Sequence, residues 1–172
     1  MARTVELVIE DGSLTEPLAN SFVTEAQIWQ YAASRGVAIP HGDDAALDAI
    51  AVLGIKAMDF IRSKKYRGEL VSTTQPLPFP RKNAGFEPEF PSNQIPGTIL
   101  QAQLALALLA YQGIELIVTV TEGWITEEQV GPLKTKYSEK VGVQTLPSNP
   151  LIDNLLYPWI LTEYEGLNIC IS

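Results

Sequence analysis

The sequence predicts a mainly α-helical fold, a bundle of about four helices with a small β element and a long proline-rich extended arm. Two observations predict it. Several segments place apolar residues at helical spacing between capping and stop residues, and five prolines between residues 66 and 94 exclude a regular helix there. The 172-residue chain, 46% hydrophobic, fits one domain, with a core over about residues 5–156, the arm at 66–94 and a C-terminal tail at 162–172.

The N-terminal part is predicted to contain one strand and one helix. Residues 4–9 (TVELVI) alternate in polarity, which is typical of a short strand with one buried face. Thr24 and Gln27 have the spacing of a capping box, so we expect a helix from there to about Arg35. Gly36 follows directly and suits the end of that helix.

The second and longest helix is predicted after the break at Pro40-His41-Gly42. Asp43 or Asp44 can cap its start, and the apolar positions up to about Lys64 form a face wide enough for two neighbours. His41 beside these two acids has the residue types of a metal site. A helix cap accounts for both acids, however, and we favour it.

The third helix is predicted over residues 95–112, which are rich in Leu and Ala. Ser92 or Asn93 can cap it, and Gly113 suits its end. Its apolar residues nearly encircle the axis, so we expect it to pack on several sides. The strictly apolar part spans only about 20 Å, at ~1.5 Å per residue, against ~30 Å of hydrocarbon, so no membrane insertion is expected. The polar residues inside it are Gln101, Gln103 and Gln112.

The proline-rich segment 66–94 is predicted to be an extended arm laid over its own domain or over a neighbouring subunit. A polyproline ligand around QPLPFPR (75–81) is a further possibility. Beyond the third helix, residues 114–121 and 129–138 are predicted to be strands, the latter an edge strand because Pro132 cannot donate a ladder bond.

A short last helix is predicted from about residue 151 to 156 or 161, capped by Ser148 or Asn149. Its inward residues are predicted to be Leu151, Ile152, Leu155 and Leu156. The apolar tail that follows is expected either to pair with the domain's own sheet or to be buried against another chain.

The residue inventory excludes most kinds of catalytic centre. His41 and Cys170 are the only histidine and cysteine, which leaves no internal disulfide, cysteine-rich zinc site or Ser–His pair. No phosphate-binding glycine motif is present. We therefore predict no catalytic residue, no metal and no cofactor, and expect that the protein is not an enzyme. The acidic N-terminus is unlike a signal peptide, so no secretion is expected.

Charge is distributed unevenly along the chain. Residues 56–82 contain seven basic and two acidic residues, a net charge of +5. Because the whole chain has a net charge of −8, the rest of it carries −13. Solvated helix faces and a favourable helix dipole explain part of this cluster. A basic patch that docks on an acidic partner or on phosphate is the functional alternative. The basic residues are Lys56, Arg62, Lys64, Lys65, Arg67, Arg81 and Lys82.

Four segments together resemble a known family. They are ANSFVTEAQIWQYAASRG (19–36), MDFIRSKKYRGELVSTTQPLPFPR (58–81), IPGTILQAQLALALLA (95–110) and EEQVGPLKTKYSE (127–139). In order and spacing they resemble a tailed-bacteriophage family often labelled "DnaT-like putative single-stranded DNA-binding protein", encoded among head-morphogenesis proteins and akin to head–tail connector (adaptor) proteins. The resemblance covers about residues 5–156. Phe79 stands where the family usually has Trp before Pro-Arg.

The resemblance implies a structural virion protein, a head–tail connector subunit in a ring of twelve copies that joins the portal to the tail. Its partners would be further copies, the portal protein and tail or other neck proteins, with no membrane. DNA would pass through the ring without sequence-specific binding. The protein would be assembled in the host cytoplasm and would lie in the head–tail neck of the virion. The alternatives are a single-stranded DNA-binding protein or another neck protein, a stopper or tail terminator.

Two sets of interface residues are predicted for this ring. The charged contact is assigned to Lys64, Lys65, Arg67, Arg81 and Lys82. The apolar contact is assigned to Leu167, Ile169 and Ile171.

Overall fold

The computed structural model describes residues 3–84, 89–117, 127–130, 133–136 and 149–161, with the backbone alone for 127–130 and 133–136. Two compact units are present, Met1–Leu116 with Ser148–Ser172, and Ile117–Pro147. The elements are α1 (Glu25–Ser34), α2 (Asp44–Arg62), β1 (Glu69–Leu70), β2 (Arg81–Lys82), α3 (Gly97–Tyr111), β3 (Glu127–Val130), β4 (Leu133–Lys136) and α4 (Pro150–Leu156). The prediction of a mainly α fold with a small β element is confirmed.

Helix α3 is the centre of the larger unit. It packs against α1, α2 and α4, and seven of its side chains are buried. Ile99 and Ala102 are fully enclosed, as are Ile50 and Ile61 on the facing helix α2. The expectation that α3 is covered on several sides is therefore confirmed. Within the described residues, no helix is both long and apolar enough to cross a membrane.

The sequence placed most helix ends correctly. The Thr24 Oγ1 accepts from the Gln27 amide and the Gln27 side chain accepts from the Thr24 amide, which completes the capping box. The Asp43 carboxylate accepts from Ala46 N at 2.8 Å and caps α2. The predicted cap of α3, Ser92 or Asn93, is wrong. The helix starts at Gly97, and Pro96 occupies the cap position. Asn149 caps α4 and Gly113, at φ 82°, ends α3, as predicted.

The predicted N-terminal strand is wrong. Within the described residues, residues 4–9 form a single isolated bridge, between Ile9 and Ser21, and no ladder. Side chains occupy backbone donors that a neighbouring strand would bind: Asp48 accepts from Thr4 N at 2.9 Å and Glu25 from Leu7 N at 3.3 Å. These carboxylates attach the segment to α2 and α1.

Three further expectations need correction. The described part of the predicted 114–121 strand, residues 114–117, is not a strand. The single edge strand predicted at 129–138 is instead the antiparallel pair β3–β4, with Val130 opposite Leu133. The Gly131-Pro132 sequence between them is typical of a turn. On α4, Leu151 is 47% exposed, whereas Ile152 and Leu156 are buried as predicted.

The described part of the proline-rich arm lies on its own subunit. Leu77 and Phe79 are 2% and 1% exposed, and the peptide bond before Pro80 is cis. The short strands β1 and β2 pair within the arm, with Leu70 opposite Arg81. The arm was predicted to lie either over its own domain or over a neighbouring subunit. Its described residues pack on their own domain. The tail at 162–172 and residues 85–88 lie outside the described residues.

One polar side chain organises the apolar centre. Gln103 is fully buried on α3, and its Nε2 donates to Ser21 Oγ at 2.8 Å and to Gly54 O at 3.1 Å. Its Oε1 accepts from Phe22 N at 3.0 Å. Buried backbone groups without a partner are costly. Gln103 thus joins α3 to the segment before α1, where it satisfies Phe22 N, and to α2, where it adds a bond to the helical carbonyl of Gly54.

Replacing Gln103 by leucine is expected to lower the free energy of unfolding by about 2–4 kcal/mol, because Phe22 N loses its partner in a closed core and the bonds to Ser21 Oγ and Gly54 O are lost. Urea unfolding at neutral pH measures the change. The matched control is Gln101→Leu on the exposed side of the same helix, for which a change within about 0.5 kcal/mol is expected. Equal stability of the two variants would contradict the role given to Gln103.

Acid unfolding is expected to depend on Asp48. Its hydrogen bonds with the Thr4 side chain and backbone hold the pKa of Asp48 at about 2, below the usual 3.8. A carboxyl whose folded pKa is depressed stabilises the fold above its unfolded pKa and loses that effect as the pH falls through the folded value. Asp48→Asn should therefore be less stable at pH 7 and lose less stability than the parent between about pH 4 and pH 2.

Urea titrations across this pH range measure the effect. Asp59→Asn is the control, because the Asp59 carboxylate makes only an exposed 3.8 Å ion pair with Arg62. An unchanged acid dependence in Asp48→Asn would contradict the assignment.

Candidate functional site

A basic groove lies between the C-terminal end of α2 and the proline-rich arm. It has a volume of about 510 Å³. Its apolar lining includes Leu70, Leu77 and Leu161, and no acidic side chain of the described residues lines it. We define the basic groove by its four cations, which are Arg62, Lys64, Lys65 and Arg81.

Three of these cations come from the end of one helix. Arg62 lies in the last turn of α2 and makes only the exposed, weak contact with Asp59. The Lys64 ammonium lies 4.7 Å from the centre of the Phe60 ring, and partial burial lowers the pKa of Lys64, opposed by Asp153. Lys65 is exposed. The C-terminal helix dipole favours cations here, which explains why α2 ends in them.

Arg81 is held by backbone carbonyls rather than by a carboxylate. Its Nε donates to Arg67 O at 2.6 Å, and its two terminal nitrogens donate to the carbonyls of Gly68 at 2.6 Å, Tyr66 at 3.3 Å and Pro78 at 3.3 Å. Burial lowers the pKa of the guanidinium. The planar guanidinium thus fastens the arm to the turn after α2. All four of these hydrogen bonds go to carbonyls and none to a carboxylate.

The aromatic rings beneath the groove are committed to one another. Phe79 packs edge-on against Tyr66, with centroids 5.0 Å apart, and against Trp159 at 5.8 Å. The Tyr66 hydroxyl donates to Ile61 O, burial raises the Tyr66 pKa, and Trp159 Nε1 donates to Thr98 Oγ1 at 2.7 Å. All three rings are at most 7% exposed. These three rings anchor the arm to the turn after α4 and present no open face on which a base could stack.

The structure brings together only part of the predicted charged interface. Lys64, Lys65 and Arg81 line the groove. Arg67 lies beside it, with its backbone N donating to Trp159 O at 2.8 Å and its Nε to Ile160 O at 3.2 Å. Lys82 points to Glu69, 3.7 Å away on the paired strand. Leu167, Ile169 and Ile171 lie outside the described residues.

Most of the residues that line the groove were not chosen from the sequence, and Arg62 and Leu161 show why. Arg62 was counted in the basic cluster, and its position two residues before Lys64 is the signal that could have added it. Leu161 gave no such signal, because it reaches the groove through tertiary pairing: its amide donates to Lys65 O at 3.0 Å.

Metal ligands are not grouped in the described part of the chain. No set of three or more His, Cys, Asp or Glu side chains there is placed to hold an ion. The His41 ring lies 4.1 Å from the Trp29 ring, and its Nδ1 is 3.2 Å from Ile39 O. Asp43 serves as the α2 cap. The helix-cap interpretation of this loop therefore accounts for the observed geometry.

Arg81→Lys is expected to destabilise the protein by about 2 kcal/mol, because an ammonium cannot span carbonyls on both sides of the turn. Urea unfolding gives the total change, and amide hydrogen exchange over residues 66–82 shows whether the loss is local. Lys82→Ala serves as the control, since its exposed ion pair contributes little. An Arg81→Lys variant with unchanged stability and exchange would show that the guanidinium does not fasten the arm.

Comparison with known proteins gives one match. The model of the family described as "Putative DnaT-like ssDNA binding protein" matches residues 5–171. No curated protein and no solved structure matches the chain. The match covers nearly the whole sequence and includes all four helices and the basic groove. The chain belongs to this DnaT-like family.

Proposed function

We propose that the protein is a head–tail connector (adaptor) subunit of a tailed bacteriophage, which closes with further copies into a ring between the portal and the tail. The resemblance of four segments to that class of phage protein suggests the role. The observation that carries it against a DNA-binding role is the burial of the aromatic rings beside the basic groove, which leaves Tyr66, Phe79 and Trp159 at most 7% exposed. Single-strand binders stack bases on exposed rings along a basic track.

The charge distribution supports the same proposal. The chain outside residues 56–82 carries −13, which repels nucleic acid over most of the surface. Such a wall suits a channel through which DNA must slide without being retained. Several large apolar side chains are also exposed in the single copy, among them Leu18 at 79% and Tyr157 at 65%. Exposed apolar residues become favourable contacts when copies associate.

Single-stranded DNA binding is the second candidate, and one specific observation favours it. The groove gathers four cations, and none of the described residues that line it is acidic. Phosphate contacts supply most of the affinity in non-specific binding. The name of the family agrees with this candidate. The groove holds only a short stretch of backbone, however, and offers no stacking platform.

Negative-stain microscopy of the full-length protein, alone and with a portal protein, tests the connector role. Discrete rings with a central hole are expected in at least the second sample. The double variant Ile169→Glu with Ile171→Glu should prevent ring formation, because charge at an apolar contact is costly. Gln101→Glu with Gln112→Glu is the matched control, because both are exposed polar residues outside the predicted contacts. Particles that stay single under both conditions would contradict the proposal.

Fluorescence anisotropy with a labelled twenty-nucleotide oligo(dT) at moderate salt distinguishes single-stranded DNA binding from the connector role. The connector role predicts no micromolar binding by the intact protein. Micromolar binding that is lost in Lys64→Gln with Lys65→Gln, and kept in the control Lys56→Gln on the same α2 helix, would instead support the DNA-binding function.

A further inference from the structure

A buried carboxylate in the N-terminal loop is satisfied on one oxygen only. Glu10 is 2% exposed. Its Oε1 accepts from Gly12 N at 2.7 Å and from Leu14 N at 3.0 Å. Its Oε2 is also shielded from solvent, and it makes no hydrogen bond within the described part of the chain. A buried carboxylate oxygen without a partner is costly, so a ligand for this oxygen has to be considered.

The loop around Glu10 is built to hold this carboxylate. Gly12 has φ 103°, and a Cβ added there would lie 2.3 Å from Asn93 O. Leu14 has φ 58°, a left-handed conformation that a bulky side chain rarely adopts. The amides of these two residues are the donors to Glu10 Oε1. Backbone strain of this kind persists only where the surroundings fix it, and here the carboxylate helps to fix it.

Glu10 lines a small cavity between this loop and the proline-rich arm. The cavity has a volume of about 100 Å³, larger than the ~30 Å³ that one water occupies in the liquid. Glu16 adds a second carboxylate from the loop, and the arm contributes the hydroxyl-bearing residues Ser72 and Thr74. No basic side chain is among its described lining residues, and no described lysine or arginine forms an ion pair with Glu10.

The arm offers this cavity an oxygen that can still accept. Ser72 Oγ lies 2.9 Å from Thr74 Oγ1, and Thr74 Oγ1 keeps at least one lone pair whichever of the two hydroxyls donates. The Gln75 side chain is already committed. Its Oε1 accepts from Ser72 N, and its Nε2 donates to the carbonyls of Leu77 and Pro80. Thr74 Oγ1 is therefore the side-chain oxygen of the arm that is available to a ligand.

We propose that this cavity binds a hard cation, with calcium the best match, between the carboxylates of Glu10 and Glu16 and the hydroxyl of Thr74. Calcium takes about six to eight oxygen ligands in flexible arrangements that combine carboxylates, neutral oxygens and waters. No three His, Cys, Asp or Glu side chains are grouped for an ion among the described residues, so neutral oxygens and waters complete the set. The inference goes beyond the proposed function and does not depend on it.

A cation fits the cavity better than a water molecule does. A water can donate a hydrogen bond to Glu10 Oε2, but it leaves the charge of a buried carboxylate uncompensated. Calcium approaches oxygen to about 2.3–2.6 Å, closer than the ~2.8 Å of a hydrogen-bonded water. The shorter distance suits an oxygen that water hardly reaches. A bound ion ties loop 10–17 to residues 72–76 of the arm.

Thermal unfolding of the full-length protein, first freed of divalent ions with a chelator, tests the site. Addition of about 10 mM calcium chloride should raise the Tm by about 3–8 °C, as expected for a Kd of about 10⁻⁴–10⁻³ M. Sodium chloride at the same ionic strength controls for screening of the net charge of −8. A rise that sodium chloride reproduces overturns the proposal. No rise at all also overturns it and assigns the cavity to water.

Two matched pairs of variants locate the ion. Glu16→Gln removes an exposed carboxylate of the cavity, and Glu6→Gln makes the same change at an exposed residue that does not line it. Thr74→Val and Thr73→Val form the second pair, of which only Thr74 lines the cavity. Isothermal titration calorimetry should show calcium affinity about tenfold weaker in Glu16→Gln and Thr74→Val and unchanged in the controls. Equal affinities within either pair overturn the proposal.

Glu10→Gln tests the buried carboxylate itself. The glutamine Oε1 can still accept from the two loop amides, so the change removes the charge and keeps those bonds. In the parent protein, calcium should slow amide hydrogen exchange in residues 10–17 and 72–76, and in Glu10→Gln it should not. Equal slowing in both proteins overturns the proposal. Because Glu16 and Thr74 are exposed, their variants decide the question even if Glu10→Gln does not fold.

Discussion

The fold depends on enclosing α3, whose apolar residues cover almost its whole circumference. A helix of this kind is stable in water only when neighbours cover every side. Helices α1, α2 and α4 supply three of them. The buried side chain of Gln103 bonds to the backbone of Phe22 and Gly54 and so joins α3 to the segment before α1 and to α2. The order of the remaining elements follows from that requirement.

The proline-rich arm, predicted to lie over its own domain or over a neighbouring subunit, belongs to this same enclosure in its described part. Its Phe79 ring packs between Tyr66 and Trp159, and Arg81 binds the carbonyls of the turn after α2. Arg81, which fastens the arm through these bonds, also lines the basic groove. A site whose aromatic rings are buried offers no platform for stacked bases, and this supports the connector proposal over DNA binding.

The sequence predicts what is local in this protein and misses what is distant. Capping places the starts of α1 and α2, because the capping bonds join residues three apart, as in Thr24–Gln27. Periodicity alone places α3 within a few residues. The strand expected at 4–9 failed because its donors are taken by Asp48, more than forty residues away. The lysines of the groove were visible as a charge cluster. The role of Arg81 was not, because carbonyl acceptors leave no pattern in the side chains.

The proposed function requires that copies of this chain complete one another in a closed ring. Native mass spectrometry of the full-length protein, alone and with a portal protein, measures this most directly. The account predicts one discrete assembly of the 18.8-kDa chain, with twelve copies expected and no ladder of intermediate sizes. A spectrum of single copies, with or without portal, or an open series of ever larger oligomers would contradict it.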